Sequence, residues 1–231
     1  MKILNLYAGI GGNRKLWTGC EVTAVEYDPE IAKIYQRNYP LDTVIVGDAH
    51  QFLLDHYSEY DFIWASPPCP SHSTIRMMAS KRGDYDPIFP DLNLYQEIIV
   101  LAHWFKGFFC VENVVPYYKP LIAATSILHR HLFWCNFSIP YTEFEKYETC
   151  KKLGEREFLE VKLGFNVDGF AVDKRKVLRN CVLPELGLHI FNAMKSASCA
   201  KALGQKNDIK ECLQTAYKSA NMPNVQMALE L

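Results

Sequence analysis

Two side chains stand where covalent and proton chemistry would need them. Cys69 lies in Ala65-Ser66-Pro67-Pro68-Cys69-Pro70-Ser71-His72-Ser73, directly after the apolar run Tyr60-Asp61-Phe62-Ile63-Trp64. That run reads as a buried strand. Two prolines cannot continue a sheet ladder, so the strand stops and a stiff loop carries the thiol at its carboxyl end. Ligands of open α/β sheets bind at that edge. Most single cysteines are small core residues; the flanking prolines and hydroxyls set this one apart. Glu112 begins Glu112-Asn113-Val114, after Phe108-Phe109-Cys110-Val111. A carboxylate at the exit of a neighbouring strand suits proton transfer. A surface acid is the plainer reading, and the four apolar residues before it weigh against that.

The elements that position these groups can be read in order. Lys2 to Tyr7 is a first strand, leading into Ala8-Gly9-Ile10-Gly11-Gly12-Asn13. Glycines after a strand let backbone approach a ligand closely. The spacing is not GxGxxG, and a plain tight turn is an equal alternative. Val22 to Glu26 is a second strand ending in an acid, suited to the two hydroxyls of a ribose. Pro29 opens a helix to about Asn38. Thr43-Val44-Ile45-Val46 is a third strand ending in Gly47-Asp48. Asp48 either bonds an adenine amino group or caps a helix over 49–56.

Residues 70–90 show little periodicity and read as a mobile flap, or as a merely solvated loop. Arg76, Lys81 and Arg82 there are candidates to meet phosphates. Asp91 caps an expected helix to about Lys106 with Leu92, Tyr95, Ile99 and Ala102 on one face. Ile127 to Phe133 reads as a sixth strand holding His129-Arg130-His131. A cation cluster in an apolar strand needs a partner, either a ligand anion or a core carboxylate.

The stretch from Ser138 to about Lys176 mixes Lys146, Lys151, Lys152, Arg156 and Lys162 with six glutamates. It reads as a small polar module, most simply a solvated face. Lys174-Arg175-Lys176 opens the densest basic stretch. Pro184 to Met194 reads as a helix with Leu186, Ile190 and Met194 on one face. Two short helical patterns follow, around 209–217 and 225–229.

The 231 residues suit one large domain with a small annex. Apolar residues make 49% and charged residues 22%, ordinary for a globular protein. A net charge of −1 does not announce a nucleic-acid partner, so any basic surface must be local. The eight cysteines include no CxxC pair, so no metal site is expected, and reduced thiols are. No apolar run reaches membrane-spanning length. The first residues enter a strand at once, so the expectation is a cytoplasmic protein without a targeting segment.

Taken together, Leu6-Tyr7-Ala8-Gly9-Ile10-Gly11-Gly12, Glu26, Gly47-Asp48, Pro68-Cys69, Glu112-Asn113-Val114, Arg130-His131-Leu132-Phe133 and Asn180-Cys181-Val182-x-Pro184 form a recognisable series. The chain resembles the DNA cytosine carbon-5 methyltransferases, particularly short phage-type members, over roughly residues 3–195. The resemblance implies an α/β fold, a doubly wound, mostly parallel Rossmann-like sheet that binds S-adenosyl-L-methionine. Tyr7, Ala8, Gly9, Ile10, Gly11 and Gly12 would hold its methionine part and Glu26 with Tyr27 its ribose. Asp48 and Ala49 would frame the adenine. Pro68, Leu94, Asn180 and Val182 would complete the cofactor site, with the 180–184 segment returning onto the first loop. Cys69, Glu112 and Arg130 would be catalytic. Ser71, Ser73, Arg76, Lys81, Arg82, Lys174 and Arg175 would touch nucleic acid. The domains expected are a catalytic and cofactor core over 1–136, a reduced target-recognition region over 137–176, and a returning segment with a helical tail over 177–231.

The implied chemistry adds the Cys69 thiolate to carbon 6 of a flipped-out cytosine, so that carbon 5 becomes nucleophilic. A lowered thiol pKa is expected to help. The implied partner is double-stranded DNA, with a homodimer and a cognate restriction enzyme as further candidates. Three departures stand out. Pro70 replaces the family's glutamine, Ser66-Pro67-Pro68 replaces Gly-Phe-Pro, and the Gln-x-Arg-x-Arg pattern is reduced to Ile127-Leu128-His129-Arg130-His131. The second departure keeps an RNA cytosine methyltransferase open as an alternative. An amino-group methyltransferase and a catalytically silent nucleic-acid-binding relative are the remaining alternatives.

Overall fold

A computed structural model describes residues 1–144 and 154–202. The described chain divides into two compact units, 1–65 with 143–192, and 66–142 with 193 onward.

In the first unit four strands, β1 (Lys2–Leu6), β2 (Glu21–Glu26), β3 (Thr43–Val46) and β4 (Phe62–Ala65), pair in parallel in the order β3-β2-β1-β4. Ile3, Leu4, Leu6, Phe62, Ile63 and Trp64 are fully buried, as in central strands covered on both faces. Parallel strands need crossovers, supplied by α1 (Pro29–Asn38) and α2 (Ala49–His56). Asp28 caps α1 through the amides of Glu30 and Ile31, with Pro29 at the first helical position. These elements match the expected ones to within two residues. Asp48 Oδ1 accepts the amides of His50 and Gln51, so the capping role foreseen for it is realised.

The unit also carries α5 (Glu155–Leu163), which ends on left-handed Gly164, and α6 (Lys174–Arg179), capped by Asp173. The helix expected over 184–194 runs further, as α7 (Pro184–Ala202). Its Leu186, Ile190 and Phe191 are buried, and Phe191 stacks on Trp17 at 5.2 Å. Lys146, Lys151 and Lys152 of the mixed-charge run, and the patterns around 209–217 and 225–229, lie outside the described residues.

The second unit holds α3 (Thr74–Lys81), α4 (Asn93–His103), β5 (Phe108–Val114), β6 (Ser126–Leu128) and β7 (His131–Cys135). β5, β7 and β6 are antiparallel neighbours in that order. Four sequence expectations are corrected here. The 70–90 stretch is not all loop: Ser73 accepts the Arg76 amide and starts α3. Helix α4 starts later and ends earlier than expected. It buries Leu94, Tyr95, Ile98 and Leu101, while Leu92 and Ile99 are exposed. The sixth strand is two strands joined by a turn at His129 and Arg130, with Leu128 opposite His131. His129 takes a φ of 56° there, the left-handed geometry that two-residue hairpins require. Strand β5 runs three residues beyond the expected exit, because Glu112 and Val114 pair with Phe133 and His131.

Gly187 of α7 packs against the backbone of Asn13, and a Cβ there would lie 2.6 Å from Asn13 Cα and 2.8 Å from its carbonyl carbon. Neither neighbour is a flexible side-chain end. Gly187→Ala is expected to cost about 1–3 kcal/mol, read as a lowered Tm; an unchanged Tm would contradict this packing.

Candidate active site

In the first unit the segment after β1 is a framed loop. Tyr7, Gly9 and Gly11 all have positive φ, at 55°, 55° and 84°. A tyrosine in that region is strained, and such strain is kept where the surroundings enforce it. Behind the loop, buried Asn5 and Asn13 pair, with Asn13 Nδ2 donating to Asn5 Oδ1 at 2.7 Å. The Tyr39 hydroxyl donates to the Gly11 carbonyl at 2.6 Å. Tyr35 and Arg14 meet on Asp42: the Tyr35 hydroxyl donates at 2.9 Å, and the Arg14 guanidinium is bidentate at 2.9 and 3.0 Å. Burial and the Asp42 charge push the Tyr35 hydroxyl far above its usual range, so it stays a donor. A Cβ on Gly11 would strike the Tyr35 and Tyr39 rings, and one on Gly12 would strike Cys181 Sγ and the Val182 carbonyl. The 180–184 segment therefore packs against the loop. The same burial drives the Cys181 thiol up to about 12.

The front of the loop differs from its back. A Cβ on Gly9 would meet nothing within 4 Å. The Glu26 carboxylate accepts the Gly9 amide at 2.8 Å through Oε2 and the Asp28 amide at 3.0 Å through Oε1. An open glycine, left-handed amides and an acid at a strand end are chemistry that fits the polar parts of S-adenosylmethionine. Tyr27 is exposed beside Glu26, and Ala49 is buried in the first turn of α2. Asn180 is exposed at the end of α6 and Val182 is half-buried.

In the second unit Cys69 is half-buried in the loop before α3. Its carbonyl accepts the amides of His72 and Ser73, both at 3.0 Å, so the loop closes as a turn. Asn113 Nδ2 donates to the Pro67 carbonyl at 3.0 Å, tying that loop to β5. Glu112 is buried within β5, not placed at its exit. Burial raises its carboxyl to about 7, against a hydrogen bond from Ser66 and the positive charge of Arg130. Burial, then the Glu112 charge, also raise the Cys69 thiol, opposed by a backbone hydrogen bond and Arg130. The lowered thiol pKa expected from the sequence is thus not found in the free protein. Arg130 is exposed in the hairpin turn, not inside a strand, yet its charge bears on both groups.

His131, which the sequence offers only within the His129-Arg130-His131 run and without a role of its own, belongs to this cluster. Its Nε2 lies 3.5 Å from Glu112 Oε1. Burial and then Arg130 lower it to about 4, so it is neutral near pH 7. The signal was present in the strand register, which the single-strand reading obscured.

The remaining candidates scatter. Pro68 is exposed and Leu94 buried. Ser71 is buried and its Oγ accepts the Asp91 amide at 3.2 Å. Ser73 caps α3. The Arg76 guanidinium stacks 4.0 Å over Tyr85. Lys81 is exposed, while Arg82 pairs with Asp84 at 3.0 Å. In the first unit Lys174 pairs with Asp168 at 2.8 Å and Arg175 lies 3.9 Å from Glu155. These two cations are balanced locally, as a solvated face would be. Among the described residues no group of three or more metal-ligating side chains clusters, and no helix is long and apolar enough to cross a membrane.

Seven strands, parallel in the first unit and flanked by helices, give the α/β fold of Rossmann-like methyltransferases. The family described as C-5 cytosine-specific DNA methylase matches residues 1–116, a stretch that holds both Cys69 and Glu112. The chain belongs to this family. Solved structures similar to it include an Entamoeba histolytica methyltransferase, at 15% identity over 49% of this chain and 38% of that one, TM-score 0.33. A Spodoptera frugiperda DNMT2 mutant aligns at 27% identity over 49% and 35%, TM-score 0.34. A putative DNA modification methyltransferase encoded within an E. coli prophage aligns at 19% identity over 52% and 33%, TM-score 0.35. The chain spans well under half the length of these three proteins. No curated protein sequence matches it.

The Glu112 burial makes a prediction independent of activity. A carboxyl raised to about 7 in the folded state contributes stability that is fully present below its unfolded value and lost as pH rises through about 7. Against Glu112→Gln, which cannot ionise, the wild type is expected to lose up to about 3 kcal/mol between about pH 4.5 and about pH 8.5. Urea unfolding at both ends measures it; a gap that does not change with pH would contradict the buried carboxyl.

Proposed function

We propose that the chain methylates carbon 5 of cytosine in double-stranded DNA through a covalent Cys69 intermediate. The observation that carries this reading is a loop thiol under the charge of a buried carboxyl of pKa about 7, both within one unit and within the stretch that matches the family. A proton held by that carboxyl near neutral pH suits the ring nitrogen that must gain one as a thiolate adds.

The chain's own residues take these roles. Cys69 Sγ bonds to carbon 6 of the flipped-out base, and the ring electrons move toward nitrogen 3. Glu112 delivers its proton to that nitrogen, so no anion builds up in a poorly solvated site. Carbon 5 is then an enamine carbon, able to attack an electrophile. S-adenosylmethionine, when bound, supplies the electrophilic methyl group. Gly9, Glu26 and the loop amides would hold it, with Val182 and Asn180 alongside. Loss of the carbon-5 proton to solvent water, return of the nitrogen-3 proton to Glu112 and departure of the Cys69 thiolate restore the aromatic ring. Arg130 orients the charge of the Cys69 and Glu112 pair.

The thiol and carboxyl share one proton in the active form. The thiolate with protonated Glu112 is its minor arrangement, drawn off by reaction. The family description, DNA methylase, supports DNA as substrate. Ser66-Pro67-Pro68-Cys69 favours RNA as the second reading, since that variant resembles RNA-directed members.

The test offers labelled S-adenosylmethionine with duplex DNA and, separately, with structured RNA, followed by nucleoside mass spectrometry. 5-Methylcytosine from DNA, abolished by Cys69→Ala, is expected. Label in RNA alone would favour the second reading, and label on an exocyclic amine would overturn both. kcat/KM is expected to rise with pH through about 7, following Glu112. Glu112→Gln should move that limb upward toward the thiol range and lower kcat/KM by about 100-fold or more; an unmoved limb would remove Glu112 from the proton-holding role.

A further inference from the structure

The thiol loop is fastened to β5 and to the chain that continues it. On its upstream side Asn113 Nδ2 donates to the Pro67 carbonyl. On its downstream side the Tyr117 amide donates to the His72 carbonyl at 3.1 Å, and Ser73 bridges to Pro116. Cys69 lies between these two fastenings, its own carbonyl taken by the amides of His72 and Ser73. Backbone bonds thus fix the path of the turn, and the His72 side chain adds to them. It is 1% exposed, and its Nδ1 lies 2.6 Å from the Tyr118 hydroxyl.

Tyr118 is itself held in place. The Tyr95 hydroxyl of α4 donates to it at 3.3 Å and accepts the Leu121 amide at 3.2 Å. The Tyr117 ring meets the Tyr118 ring edge-on, with centroids 5.1 Å apart. Burial and then the Tyr95 contact raise the Tyr118 hydroxyl, and burial lowers the His72 ring against the charge and backbone of Asp91. Both groups are therefore neutral near pH 7. Either neutral tautomer of the ring makes the bond, one as acceptor and the other as donor. The second ring nitrogen, Nε2, is buried and makes no hydrogen bond of ordinary length among the described residues. A buried polar atom left so is a cost. An apolar ring would fill the same space without it, so what the histidine brings is the Nδ1 bond.

We infer that His72 is a positioning residue for Cys69, its bond to Tyr118 locking the downstream half of the thiol loop to the chain that leaves β5. This rests on the proposed roles of Cys69 and Glu112. The lock makes thiol and carboxyl parts of one frame, since β5 carries Glu112 and its continuation holds the loop beyond Cys69. A reacting group misplaced by about 1 Å loses rate steeply. Burial raises the Cys69 thiol most, and Glu112 adds to it; a backbone hydrogen bond and Arg130 oppose them. Releasing His72 lets water reach the thiol, so its proton leaves more easily while the geometry for attack is lost. Reactivity toward a small electrophile and turnover on a base then move in opposite directions.

The experiment takes the pH profile of Cys69 alkylation by iodoacetamide in the full chain, without DNA or cofactor, by peptide mass spectrometry. It is set beside kcat/KM for methylation of duplex DNA. Wild type, His72→Phe, Tyr118→Phe, the double variant and His72→Asn are compared. His72→Phe keeps a ring and removes the bond. It is expected to lower the alkylation midpoint by about half a unit or more and kcat/KM by about tenfold. Tyr118→Phe should do the same, and the double variant should be no worse than the stronger single one. His72→Asn, whose amide can accept or donate in place of Nδ1, should recover most of both. Buried Cys110 and Cys135 report the fold and should stay unlabelled. Where His72→Phe exposes them, Tyr118→Phe carries the same test alone. An unchanged midpoint, single-variant effects that add, or no recovery by asparagine would overturn the inference. Absence of methyl transfer by the wild type would instead defeat the reading of the site, since the alkylation profile is read without turnover.

Discussion

Everything at this site depends on taking one carboxyl out of water. Glu112 occupies a full position of the β5–β7 ladder, where pairing with Phe133 fixes its backbone and burial raises its pKa to about 7. An isolated charge there would cost several kcal/mol, so the group is kept poised, with Arg130 and Ser66 pulling it partway back. The same dryness raises the neighbouring thiol. Neither group is activated alone, and an ionised Glu112 holds the thiol proton more firmly. That differs from a permanently ionised cysteine.

The first unit solves another problem, a backbone loop that must stay open on one side. Asn5, Asn13, Tyr35, Tyr39, Arg14 and Asp42 brace its back through paired hydrogen bonds. Gly11 and Gly12 allow rings, Cys181 and Val182 to press against it, whereas Gly9 faces space. Strain at Tyr7 persists because the surroundings over-determine it. A loop this well supported can hold a ligand without reorganising.

Much of this was legible in the residues. Buried parallel strands are continuous apolar runs, and Asp28, Pro29 and Asp48 announce helices through their own chemistry, so the first unit's strands and helices follow from local signals. Cys69 was findable because prolines end its strand. What failed was whatever rests on pairing. A two-residue turn at His129-Arg130 carries none of the usual glycine or asparagine, so one strand was expected where two stand. With the turn unseen, Arg130 seemed to lie within a strand and His131 had no assigned face. The reach of β5 through Glu112 depends on β7, which no local pattern of 108–114 reveals. The residues expected to touch cofactor and those expected to touch nucleic acid differ in their surroundings. Glu26 and the glycine loop form a coherent arrangement, whereas Arg82, Lys174 and Arg175 are engaged by nearby carboxylates.

The central claim is a bond between Cys69 sulfur and a cytosine ring carbon. Intact-mass analysis after denaturation, with S-adenosylmethionine and a duplex carrying 5-fluorocytosine, reads that bond directly, because fluorine at carbon 5 blocks release. The expected result is a protein–DNA species carrying the added methyl group, with fragmentation placing the bond on Cys69. Turnover on ordinary cytosine without such a species, or a bond mapped to another residue, would contradict the mechanism.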